Sequence, residues 1–98
     1  MRITVPLRSL GNPRVTFSRL GYHAATNGSF ERRMGGGVFP RFHAYIGTQN
    51  DTAIINLHLD MKAHSYTGVS AHSGEYDTDI VKRELVRIQE ELSRSPLV

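Results

Sequence analysis

Ninety-eight residues, 39% of them apolar and none tryptophan, fit one small domain with a thin core and little room to bury a cofactor. The lack of cysteine excludes disulfides and thiolate-bound zinc, so any metal must be held by nitrogen and oxygen. The formal charge of +3 hides an asymmetry: residues 1–50 carry seven arginines and one glutamate (+6), residues 51–98 five basic and eight acidic side chains (−3). Such polarity can steer an anionic partner or draw two copies into a homodimer.

The segment Ile3 to Leu7 reads either as an edge strand or as part of a loose N-terminal arm over residues 1–11. Asn12-Pro13 ahead of Arg14 to Leu20, with Gly21 beyond, predicts a short helix with Asn as N-cap, Pro in the first turn, and Phe17 and Leu20 facing inward. Asn27-Gly28 marks a turn, and Ser29 to Met34 alternates as a strand with Phe30, Arg32 and Met34 on one side. Three glycines, 35 to 37, end it.

Phe39 to Met61 predicts a hairpin. Phe42, Ala44 and Ile46 alternate with Arg41, His43 and Tyr45, and Ile55, Leu57, Leu59 and Met61 alternate with Ile54, Asn56, His58 and Asp60. Successive strand side chains point to opposite faces, so burial of the apolar set places His43, His58 and Asp60 on the other. With Asn50-Asp51 as the turn, His43 stands opposite His58, Arg41 opposite Asp60 and Tyr45 opposite Asn56. Asp77-Thr78 then caps a helix to about Ser93, with Val81, Leu85, Ile88 and Leu92 on its buried stripe. The polar stretch 62–76 between hairpin and helix is expected to fold over a sheet edge or over the polar face, and 94–98 is a loose tail. With no linker, the whole chain 1–98 reads as a single domain. No run nears the roughly 18 apolar residues of a spanning helix, and MRITVPLRSL lacks a signal peptide's apolar centre, so a cytoplasmic protein with no membrane partner is expected.

Histidine is the commonest metal ligand and the side chain that titrates near neutral pH, so its convergence on one face points to a site. The first reading is a divalent metal, zinc favoured, held by His43, His58 and His72 or Glu75, with Asp60 as ligand or outer acceptor. Three nitrogen and oxygen ligands with an open position are the catalytic arrangement, so a metal-dependent hydrolase follows. The bland reading makes the histidines half-exposed strand residues and Arg41–Asp60 a surface ion pair. A further reading is acid–base cleavage of RNA by His43 and His58, with Arg32, Arg33 or Arg41 on the phosphate. A binding domain for RNA built on the Arg-rich half is the alternative from another class. His23 and His64 have no companions in this pattern and are expected to be solvated.

The motifs PRFHAYI, NLHLDMKAHSY and AHSGEYD, preceded by RLGY and SFERRM, resemble a family of small bacterial proteins of candidate-phyla type with no established activity. His43, His58, Asp60, His72 and Glu75 fall within its motifs, and His64 departs from its pattern. The order helix, three strands, helix also resembles the double-stranded-RNA-binding-like fold of HicA toxins, which cleave RNA. Their catalytic His sits on the first strand, where SFERRM has none, so that mechanism does not carry over. The expected fold is α+β: a three-stranded antiparallel sheet covered on one face by two helices.

Overall fold

The computed structural model describes the backbone of residues 1–61 and 73–94 and the side chains of residues 1–61 and 79–93. The α+β class holds, but the sheet has five strands where three were expected, and three helices where two were expected. In chain order these are β1 (Arg2–Pro6), α1 (Leu7–Leu10), α2 (Pro13–Arg19), β2 (His23–Ala24), β3 (Phe30–Arg33), β4 (Arg41–Gln49), β5 (Thr52–Asp60) and α3 (Ser73–Arg94). The sheet is antiparallel throughout, in the order β1-β5-β4-β3-β2. This corrects the three-stranded, HicA-like topology.

The two extra strands escaped the sequence reading for different reasons. β1 is an edge strand whose Ile3 and Val5 turn inward, and its ladder runs from Arg2 opposite Asn56 to Pro6 opposite Thr52. Nothing local distinguishes that from a loose arm, since the partner strand lies some fifty residues away. β2 spans two residues, too few for any periodicity to register. α1 is a single turn.

The hairpin of β4 and β5 has the expected register: Arg41 pairs with Asp60, His43 with His58 and Tyr45 with Asn56. Asn50 makes the turn at φ 57°, a conformation Asn tolerates better than most residues. In α2, the Asn12 side chain accepts from the backbone N–H groups of Arg14 and Val15, at 3.0 and 3.3 Å. Gly21 follows its end at φ +94°, where a side chain would be strained.

The helices cover one face of the sheet. Phe42, Ala44, Ile55 and Leu57 of the sheet form one buried core with Phe17 of α2 and with Val81, Leu85, Ile88 and Leu92 of α3. Four such residues at i, i+4, i+7 and i+11 make one stripe of a helix, and its burial against the sheet carries most of the helix's stability. α3 begins at Ser73, four residues before the expected cap at Asp77. Gly74 lies in that first turn, where its propensity cost of about 1 kcal/mol is readily outweighed. No helix among the described residues is long and apolar enough to cross a membrane.

One polar cluster lies within this layer. Glu84 is buried; its Oε2 accepts from the buried Tyr22 hydroxyl at 2.7 Å and from Arg87 Nη2 at 2.9 Å, with Arg32 Nε at 3.7 Å. Arg87 also donates to the Leu20 carbonyl at 2.7 Å, tying α3 to the end of α2. Burial alone would raise the Glu84 pKa, yet hydrogen bonds from Arg87 and Tyr22 and the charges of Arg32 and Arg87 outweigh it and hold the carboxyl below its usual 4.5. Burial, and then donation to Glu84, push the Tyr22 phenol well above its usual 10.

These shifts set two flanks to stability. A carboxyl depressed in the fold binds fewer protons than in the unfolded chain, so its contribution is present above pH 4.5 and lost as pH falls through the folded value. A phenol raised in the fold contributes fully below pH 10 and is lost as pH rises, because the unfolded chain ionises first. Urea unfolding across the acid and alkaline ranges is expected to show both losses. Tyr22→Phe should flatten the alkaline one, and Glu84→Gln the acid one.

Candidate functional site on the open sheet face

The face turned away from the helices carries the candidate site. Paired residues on adjacent strands point to the same side, so the register lays His23, Glu31, His43 and His58 in one row across β2, β3, β4 and β5. The row beside it holds Arg33, Arg41 and Asp60, and the row on the other side Tyr45, Asn56 and Arg2.

His43 is the centre, with 12% of its side chain exposed. Its Nδ1 lies 2.6 Å from Asp60 Oδ2, and since a carboxylate only accepts, Nδ1–H donates. That bond turns the other ring nitrogen away from β5 and towards β3. There Nε2 stands 3.0 Å from Glu31 Oε2 but off the line of a hydrogen bond, so this buried nitrogen has no hydrogen-bond partner among the described residues. Glu31 is held in turn by Arg41, whose Nη1 donates to Oε1 at 3.3 Å. Arg41 Nε is 3.6 Å from Asp60 Oδ2, and its guanidinium stacks 4.7 Å from the Phe39 ring.

Two carboxylates therefore face one guanidinium and one imidazole. A neutral imidazole that donates from Nδ1 presents a lone pair at Nε2. The Glu31 oxygen lies 3.0 Å from Nε2 but off the axis of that lone pair, so a cation shared by the two atoms requires a small turn of the Glu31 side chain. The cluster carries one excess negative charge with the ring neutral, which favours such a cation.

Of the expected ligands, His43 and Asp60 come together and His58 does not join them. His58 is exposed, and its ring meets the edge of Tyr45 at 5.7 Å, while Tyr45 lies 5.3 Å from His43. Both ring nitrogens of His43 stand at carboxylates, Nδ1 at Asp60 and Nε2 at Glu31, which draws them away from a proton relay with His58. His72 and the Glu75 side chain lie outside the described residues, as do His64 and the path of 62–72. Among the described residues no three of His, Asp and Glu are grouped closely enough to hold a metal as they stand. Of the arginines expected on phosphate, Arg41 is engaged by both carboxylates. Arg32 lies on the helix-covered side over Phe42 and near Glu84, and Arg33 is exposed on the open face.

Two residues of this face were missed in the sequence. Glu31 had a signal, being the one acidic side chain in residues 1–50, amid seven arginines. His23, expected to be solvated, is exposed but stands directly across from Glu31. Its placement needed the two-residue strand β2. No protein-family model, curated protein or solved structure matches this chain.

Proposed function

We propose that this protein binds a divalent cation, with zinc favoured, on the open face of its sheet, between His43 Nε2 and Glu31 Oε2. The observation that carries the reading is the 3.0 Å contact between a carboxylate oxygen and an imidazole nitrogen that has no hydrogen bond among the described residues. Two ligand atoms about 2.1 Å from a tetrahedral zinc stand about 3.4 Å apart, so the pair needs to open by only a few tenths of an ångström. Both are supported from behind, His43 by Asp60 and Glu31 by Arg41, as metal ligands characteristically are. Asp60 is thus the outer acceptor rather than a ligand. A site with few protein ligands that leaves a coordination position open is of the catalytic kind, which makes metal-dependent hydrolysis the activity to screen.

The nucleic-acid reading draws less support, because two of its three arginines are held by carboxylates of the same chain.

Elemental analysis of tag-free protein after exposure to zinc and removal of the excess tests the proposal. Near-stoichiometric zinc is expected in the wild type and its loss in His43→Ala and Glu31→Gln. Asp60→Asn should retain binding with affinity lowered about 10- to 100-fold. Wild-type protein that takes up neither zinc nor manganese would refute the cation site and leave the cluster an ion-pair network.

A further inference from the structure

We infer that the third metal ligand is His23 of the edge strand β2, and that His58, the hairpin's other histidine, is not a ligand. The inference rests on the cation site proposed above and concerns which side of His43 it occupies. Asp60 on β5 takes Nδ1, at 2.6 Å. The ring nitrogens lie on opposite flanks of an imidazole, so Nε2 is turned to β3, where it meets Glu31. A cation bound there lies on the far side of the ring from β5, the strand that carries His58. The sheet order continues from β3 to β2, and the residue paired with Glu31 on β2 is His23. Directly opposed residues have Cβ atoms about 5 Å apart, within reach of an imidazole and a carboxylate that share an ion.

The local chain fits this role. Tyr22 is buried at 3% exposure and bonded to Glu84, so the alternation of the strand sends the neighbouring His23 to the open face. His23 is exposed among the described residues. The resulting set is two imidazoles and one carboxylate from three adjacent strands. Zinc takes that set in hydrolytic sites, where the remaining position holds water. Ligation would also fasten β2, a strand of only two residues, to the sheet.

Competition of the full chain against a chromophoric zinc chelator tests this in wild type, His23→Ala and His58→Ala. The expected result is a loss of affinity for His23→Ala at least as large as the roughly 10- to 100-fold caused by removing an outer-shell partner. His58→Ala should bind as the wild type does. His23→Asp, which returns an oxygen ligand, should recover part of the loss. Unchanged binding by His23→Ala overturns the assignment, and so does a loss confined to His58→Ala. If the wild type itself fails to bind zinc, the underlying cation site is refuted, an outcome distinct from either of these.

Discussion

Phe17→Ala is expected to lower the unfolding free energy by about 3–5 kcal/mol, the range for deleting a fully buried aromatic side chain. The ring is 0% exposed, stacked on Phe30 at 5.1 Å and edge-on to Tyr22 at 5.3 Å. Truncation removes both ring pairs and leaves a cavity bounded by α2 and by the residue that leads into β2. For a domain of this size each kcal/mol lowers Tm by about 4–8 °C, so thermal unfolding followed by circular dichroism resolves the effect easily. Val15→Ala in the same helix is the control: Val15 is 47% exposed and should change stability by less than about 0.5 kcal/mol. Equal effects from the two substitutions would mean that the aromatic contact of α2 adds nothing, since alanine raises helix propensity at both positions. Because Phe17 seats Tyr22, and Tyr22 sends His23 to the open face, the same variant should also weaken zinc binding.

Glu84→Ala is expected to cost about 3 kcal/mol, at the lower end of the range for breaking a buried ionic cluster. The reason for the lower end is that Arg87, at 40% side-chain exposure, can return to water once its partner is gone. The buried Tyr22 hydroxyl cannot, and an orphaned buried donor alone costs about 1–3 kcal/mol. Glu84→Gln keeps an acceptor for Tyr22 and should cost less than the alanine variant. A double-mutant cycle with Tyr22→Phe, read from urea midpoints, should give positive coupling between the two sites. Additive losses would instead place the value of Glu84 in its pairing with Arg87 and Arg32.

Much of the frame was legible along the chain because it depends on short-range pattern. The alternation through Phe42 to Ile46 and Ile55 to Leu59, joined by a turn at Asn50, determined the hairpin and the pairing of His43 with His58 and Arg41 with Asp60. The apolar stripe Val81, Leu85, Ile88 and Leu92 determined the buried face of α3. Glu84 was also readable in principle, being a carboxylate inside that stripe, three residues after Val81, and therefore in need of buried donors.

The site itself is where pattern ran out. That His43 and Asp60 share a face follows from strand periodicity, but period two says nothing of which way an imidazole turns on that face. The 2.6 Å bond from His43 to Asp60 fixes the turn, directing Nε2 to Glu31 and away from His58. Likewise β1 and β2 owe their existence to partners distant in sequence or to strands too short to carry a period, and only assembly of the sheet sets His23 beside Glu31. Local sequence thus determined which side chains lie on each face of the elements. Tertiary structure decided which neighbour each of them meets, because the energies that choose a cross-strand partner arise only once the strands are side by side.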